Sequence, residues 1–234
     1  ERMLASLGVD VRSRGTQALL EPASELPPFQ LDVPADPSSA AFFAGLAAAG
    51  GVGAGAPLDL TDVALNPTRL GFFRVLREMG ADVSWETERE EGGEPVGTVT
   101  VVARGLRGVR IRAEQVPAMI DELPLLACLA TLAEGETEIR GAGELRVKES
   151  DRIAAVVENL RAIGADADEL PDGLTVRGGM RSLGGPVRAH GDHRLAMAFG
   201  VLGALTGNAI VVDDRECVGV SYPDFWADLA RVTA

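Results

Sequence analysis

An α/β fold of repeated βαβαββ units is what these 234 residues predict. Three observations carry the prediction. A short glycine-containing phrase recurs three times. An acidic residue opens three small-residue helices. Short β-branched strands alternate with helices throughout.

The phrases are Leu7-Gly8-Val9-Asp10-Val11, Met79-Gly80-Ala81-Asp82-Val83 and Ile163-Gly164-Ala165-Asp166-Ala167. Their glycines stand 72 and 84 residues apart. Each phrase ends an amphipathic helix pattern: Leu70, Phe73, Val75 and Leu76 before the second, Ile153, Val156, Val157 and Leu160 before the third. The glycine is a C-cap that turns the chain into a strand.

The acidic openings are Asp36-Pro37-Ser38-Ser39-Ala40, Asp121-Glu122-Leu123-Pro124 and Asp192-His193-Arg194-Leu195, with aspartates 85 and 71 residues apart. Pro37 and Pro124 suit a first helical turn, where a missing N–H costs nothing. Strands are expected at Thr98–Val102, Val109–Ile111, Leu174–Val176 and Ala209–Val212. Units therefore begin near Leu31, Val109 and Val187, and the last reaches the helix Pro223–Leu229. Phe42, Phe43, Leu46, Leu125, Leu126, Met197 and Phe199 are expected in the core. Glu86–Gly97 reads as a solvated hairpin tip, Pro22–Pro28 as a loop followed by a hinge, and Gly50–Gly55 as a flexible turn after a helix rather than a phosphate loop.

Composition narrows the function. At 46% hydrophobic and 24% charged the chain can bury a core. A net charge of −13 argues against nonspecific nucleic-acid binding and means that an anionic substrate needs a local basic pocket. No apolar run reaches the ~18 residues of a bilayer span. Cys128 and Cys217 form no metal or disulfide pattern; Cys128 reads as a buried thiol, and a reducing compartment fits. Glu1–Leu7 reads as the middle of a helix with no preceding cap, so a longer protein with a further N-terminal part is expected.

Two charged clusters could carry chemistry. Lys148-Glu149-Ser150-Asp151-Arg152 opens one helix and Asp192-His193-Arg194 another. Lys148 and Arg152, four apart, would share a helix face, and cations at a helix start are unfavourable unless an anion bridges them. A solvated helix start accounts equally well for Lys148, Glu149, Asp151 and Arg152. Arg194 is of the type that grips carboxylate or phosphate in a fork, and His193 stands between both charge signs. Asp121, beside an apolar helix, is either a partly desolvated general base or a plain N-cap.

Arg146–Ile153, Asp192–Met197, Ser221-Tyr222-Pro223-Asp224-Phe225, Pro117–Pro124 and Asp36–Ala40 together resemble the 3-phosphoshikimate 1-carboxyvinyltransferase (EPSP synthase) family, over essentially the whole chain. The resemblance implies an enolpyruvyl transferase fold: βαβαββ units around a pseudo-threefold axis, an inside-out α/β barrel. Residues 33–234 would be one complete domain (units of about 33–105, 106–180 and 181–234). Residues 1–32 would be the remnant of a shikimate-phosphate-binding domain.

It implies a transferase that moves the enolpyruvyl group of phosphoenolpyruvate to the 5-hydroxyl of shikimate 3-phosphate and releases phosphate, on the way to chorismate and the aromatic amino acids. No metal or organic cofactor, no nucleic acid and no membrane is implied. The partners are the two substrates and the missing N-terminal domain, in a cytoplasmic protein that is a monomer at full length.

Residue by residue, Asp121 matches the general base and shikimate-phosphate ligand, and Lys148 a shikimate contact. Glu149 matches the acid that protonates the enolpyruvate methylene. Arg152 and Arg194 match the phosphoenolpyruvate-binding arginines, and His193 lines their site. Two positions depart. Val220 stands where many members have Lys, and Glu144 where some have Asn. The chain alone is expected to be inactive. UDP-N-acetylglucosamine enolpyruvyltransferase shares fold and donor, but its counterpart segments lack these motif pairs. A non-catalytic half that only pairs with a complementary domain is the remaining alternative.

Overall fold

A computed structural model describes residues 1–53, 56–179 and 182–234. The last two residues of the expected Gly50–Gly55 turn, and the boundary near 180 between the second and third units, lie outside the described residues.

The repeat is present as three related units. The first runs from a single bridge at Ala35 through α2 (Pro37–Ala48), β3 (Leu58–Ala64), α3 (Gly71–Glu78), β4 (Asp82–Glu91) and β5 (Glu94–Val102). The second is β6 (Arg110–Ile111), α4 (Leu123–Ala130), β7 (Glu136–Ile139), α5 (Arg152–Ala162), β8 (Asp166–Leu170) and β9 (Gly173–Arg177). The third is β10 (Gly184–Val187), α6 (His193–Ala204), β11 (Ala209–Val212) and α7 (Phe225–Thr233). Before them stand a short helix α1 (Arg2–Ser6) and a hairpin of β1 (Val11–Arg14) and β2 (Gln17–Leu20).

Pairing repeats with the units. The first strand lies parallel to the second at Ala35–Val63, β6–β7 and β10–β11. The second strand is antiparallel to the last at β3–β5 and β7–β9, and the last two form a hairpin, β4–β5 and β8–β9. The strand expected near Leu31 is reduced to the Ala35 bridge. The expected solvated tip at Glu86–Gly97 is mostly ladder: β4 reaches Glu91 and β5 starts at Glu94. The charges of Glu86 to Glu90 sit on exposed strand, while Val96 and Val99 of β5 are buried. The segment is a hairpin, as expected, with an exposed face, and its turn is confined to Gly92 and Gly93.

The glycine C-caps are where the sequence puts them. Gly80 and Gly164 take φ of 106° and 94°, as does Gly8 at 85°. The next residue then reaches back five positions: Ala81 N–H to Leu76 O at 3.0 Å and Ala165 N–H to Leu160 O at 2.9 Å. A Cβ would be strained at these angles.

Three helices form the centre. In α2 only Ser39 escapes burial, α4 is buried along its whole length, and α6 is buried from Leu195 to Leu202. Helices apolar all round belong inside, and α2, α4 and α6 touch one another. The sheets lie outside them. The helices are inside and the strands outside, as an inside-out arrangement requires, but the sheets do not join, and among the described residues no barrel closes. All seven core residues expected from sequence are buried, and so is Cys128, whose thiol burial pushes far up and keeps protonated.

An aromatic cluster locks the first unit to the third. Phe225, fully buried at the start of α7, packs at 5.8–5.9 Å on Phe42, Phe43 and Tyr222 and at 5.0 Å on Trp226. Phe225→Ala should cost about 3–5 kcal/mol by denaturant unfolding, the range for an aromatic cavity. A loss below ~1 kcal/mol would mean that the two units are held elsewhere.

Candidate active site

The site is built on loops leading into α4, α5 and α6. A 3-10 turn, Ile120–Glu122, carries Asp121 and Glu122 into α4. Residues 148–151 lead into α5, where the Asp151 side chain accepts the Ala154 N–H at 3.0 Å and makes Arg152 the first helical residue. His190 and Gly191, at φ of 56° and 70°, turn the chain into α6, which Asp192 caps by accepting the Arg194 N–H at 3.0 Å.

Two expectations need correction. Lys148 does not share a helix face with Arg152. It lies before α5 in extended backbone, because the Asp151 cap, not the charge cluster, sets the helix start. Asp121 is neither a helix opener nor a cap. The cap position is Glu122, which makes no side-chain cap bond.

Lys148 and Arg152 meet all the same, at Asp121. Arg152 Nη1 is 3.1 Å and Lys148 Nζ 3.9 Å from Oδ1, and Arg194 Nη2 is 3.7 Å from Oδ2. One partly exposed carboxylate thus faces three cations drawn from two units.

Arg152 is the hub. Its side chain is 1% exposed. Nε lies 2.7 Å from Asp192 Oδ2, while Nη2 lies 3.3 Å from Asp192 Oδ1 and 2.6 Å from Glu149 Oε2. With the Asp121 contact, four of the five guanidinium N–H groups are engaged on carboxylates. The anion expected to justify a cation at this helix start is therefore supplied from within the chain. Burial works against the Arg152 charge, but Asp192, Glu149 and Asp121 outweigh it and raise its pKa. Burial would likewise raise Asp192, yet Arg152, the Arg194 N–H and Ser150 Oγ hold it below the usual carboxylate value.

Arg194 and Lys148 differ from Arg152. Among the described residues neither makes a side-chain hydrogen bond; their carboxylate contacts are all 3.5 Å or longer. Their N–H groups can turn to an incoming anion. His193, half-buried beside Arg194, is held below its ordinary pKa, chiefly by burial and then by that arginine, so its ring is neutral at pH 7. Glu149 is half exposed beyond Arg152. Of the two departures, Glu144 sits 3.5 Å from Lys148 Nζ, and Val220 is 82% exposed on the 3-10 turn Glu216–Val220. Among the described residues no group of three or more His, Cys, Asp and Glu could hold a metal ion.

Sequence reasoning missed a second array. Glu122, buried beside Asp121, accepts a hydrogen bond from Ser38 of α2, and Ser38 Oγ accepts one from Arg69 Nη2 at 2.6 Å. Glu122 Oε1 also lies 3.8 Å from Arg194 Nη1 and 4.0 Å from Arg69 Nη2. The signal was present in the Asp121-Glu122 adjacency and in Ser38 of the Asp36 motif, but the partners stand 84 positions apart. Of the two buried acids of this site, Glu122 is the one whose pKa is raised and Asp192 the one whose pKa is lowered. Burial lifts the Glu122 pKa, against Ser38, Arg69 and Arg194, which lower it.

This shift has a stability consequence. A raised carboxylate pKa means that the folded state binds its proton more tightly than the unfolded chain. The contribution is present below the ordinary value of 4.5 and is lost as pH rises through the folded pKa. Glu122→Gln keeps the oxygen that Ser38 donates to and removes the charge. Its stability relative to the parent should therefore climb between pH 4 and pH 7, measured by denaturant unfolding at each pH; parallel curves would contradict the assignment.

The comparisons with known proteins show the family of the chain. The family model described as EPSP synthase (3-phosphoshikimate 1-carboxyvinyltransferase) matches residues 1–229. The chain is 48% identical over 237 residues to a 3-phosphoshikimate 1-carboxyvinyltransferase of Sulfurihydrogenibium sp., covering 100% of this chain and 54% of that relative. It is 44% identical over 237 residues to the one from Aquifex aeolicus, with 99% and 54% covered. An EPSP synthase structure from Acinetobacter baumannii superimposes with a TM-score of 0.90 at 38% identity, covering 99% of this chain and 53% of that one. The enolpyruvyl transferase NikO from Streptomyces tendae, at 22% identity, TM-score 0.71 and coverage of 98% and 51%, shares the fold. The chain spans about half the length of the curated relatives it matches. On these matches the chain belongs to the EPSP synthase (3-phosphoshikimate 1-carboxyvinyltransferase) family.

Proposed function

We propose that this chain carries one half of the catalytic cleft of a 3-phosphoshikimate 1-carboxyvinyltransferase. The protein would transfer the enolpyruvyl group of phosphoenolpyruvate to the 5-hydroxyl of shikimate 3-phosphate and release phosphate. The observation that carries the reading is the convergence of Lys148, Arg152 and Arg194 on Asp121.

The roles follow the family resemblance, and the chemistry is consistent with them. Asp121 accepts the proton of the 5-hydroxyl as its oxygen bonds to C2 of phosphoenolpyruvate. Glu149, half exposed and next to the cleft, gives a proton to C3, so that positive charge builds at C2 where the oxygen arrives. Loss of phosphate from C2 and of a proton from C3 then restores the double bond. Arg194 binds the anionic donor through its unengaged N–H groups, and Arg152 adds the one N–H left on Nη1. Lys148, beside Asp121, contacts the shikimate substrate. His193, neutral, lines the same pocket. No cofactor is required.

We assign residues 33–234 to the second domain and residues 1–32 to the end of the first. Among the described residues the β1–β2 hairpin pairs with no other strand. Leu19, Leu20, Leu26, Phe29 and Val33 are exposed, an apolar surface suited to a further domain. The corresponding setting is a cytoplasmic monomer; among the described residues no helix is long and apolar enough to cross a membrane.

The test is phosphate release from both substrates by this chain combined with a matching N-terminal half. Activity is expected from the combination and not from the chain alone. Asp121→Ala and Arg194→Ala should each lower kcat/KM by about 100-fold or more, the scale of losing a general base or a charged donor. An inactive combination with both halves folded would favour the inert-module reading. Activity only with a UDP-sugar acceptor would favour the related transferase.

A further inference from the structure

We infer that Arg69 is a further anion-binding residue of this site, gripping a phosphate or carboxylate jointly with Arg194. The inference takes the identity of the natural substrate from the proposed transferase reading; the anion site itself stands on the geometry.

Arg69 is held in place from both ends. Its backbone closes a turn on Asn66, with its N–H on Asn66 O at 2.8 Å, while Asn66 Oδ1 accepts from Thr68 N–H and Oγ1 at 3.0 and 2.8 Å. Its side chain is anchored by one neutral group, Ser38 Oγ, 2.6 Å from Nη2. Its nearest carboxylate, Glu122, is at 4.0 Å, beyond hydrogen-bond reach, and is already taken by Ser38.

The charge balance around that oxygen is uneven. Arg69 Nη2 and Arg194 Nη1 approach the same atom, Glu122 Oε1, at 4.0 and 3.8 Å. Two guanidinium groups therefore face one buried carboxylate. Both side chains reach solvent, Arg69 at 42% and Arg194 at 17% exposure. Contrast Arg152, matched by carboxylates on four of its five N–H groups. Two forks that converge on one buried oxygen and reach solvent, Arg69 fixed by Ser38 and Arg194 free to turn from Asp121 at 3.7 Å, suit a small oxyanion held by several N–H groups at once. Ser38 fixes the approach, so the site is pre-shaped before the anion arrives.

The test is titration of this chain with inorganic phosphate and, separately, with phosphoenolpyruvate, followed by the arginine Nε–Hε signals in NMR. Phosphate should shift the Arg69 and Arg194 signals together. Arg69→Gln should weaken phosphate binding by at least about tenfold, as for a lost charge-assisted hydrogen bond, with Arg69→Lys between the two. Arg188→Gln, on an exposed arginine 3.6 Å from Glu158, serves as the control and should leave the affinity unchanged. Far-UV circular dichroism checks that each variant is folded. No phosphate-induced shift at Arg69, or an unchanged affinity in Arg69→Gln, overturns the inference. In the combined enzyme Arg69→Gln should raise KM for phosphoenolpyruvate with little change in kcat. If the unsubstituted combination is inactive while Arg69-dependent phosphate binding persists, it is the transferase reading that fails and the anion site that stands.

Discussion

The buried ion pair between Arg152 and Asp192 is the interaction on which the rest of the site depends. Both side chains are essentially inaccessible, and their contact is bidentate. It joins the first residue of α5 in the second unit to the cap of α6 in the third. From Arg152 the network reaches Asp121 and Glu149; from Asp192 it reaches Ser150 Oγ and the Arg194 backbone. A buried charge is tolerated only when it is paired and hydrogen-bonded. Removing either member therefore disturbs the position of nearly every group proposed to act in the reaction.

The repeat explains how such a site arises. Each unit buries one apolar helix in the centre and delivers the loop before it to the same end of the molecule. Asp36, Glu122 and Asp192 sit at the starts of α2, α4 and α6. The first and last cap their helices; the middle one is freed from capping and turned towards Ser38. Fixed loops on packed helices hold charged groups at defined distances better than a flexible loop could. The partial exposure of Asp121, Lys148 and Arg194 leaves one side open, on which a complementary surface can exclude water and sharpen the electrostatics.

Much of this was legible in the sequence, and the reason is that it is local. A glycine after an amphipathic run, an aspartate followed three residues later by a helical N–H, and an apolar run flanked by such signals each fold by near-neighbour rules. Hence Gly80, Gly164, Asp36 and the core of α4 were readable. The start of α5 misled because the whole Lys148–Arg152 cluster reads as the opening, whereas the Asp151 side chain sets the start at Arg152. The Glu86–Gly97 segment is the hairpin expected, but its charged composition concealed how far the ladder runs. The Ser38–Glu122–Arg69 array was not legible, since it is made by packing α2 against α4 and has no local period. For the same reason Arg152 read as a cation awaiting a ligand: its buried counter-charge, Asp192, lies 40 residues away.

The central claim is that Arg152 and Asp192 act as one unit. A double-mutant cycle measures this directly, using Arg152→Met, Asp192→Asn and the pair, with unfolding free energies from denaturant titration. Each single change leaves a buried charge without its partner and should cost about 3–5 kcal/mol, while the double change should cost far less than the sum. Additive losses would show that the two residues contribute independently, and would contradict the account.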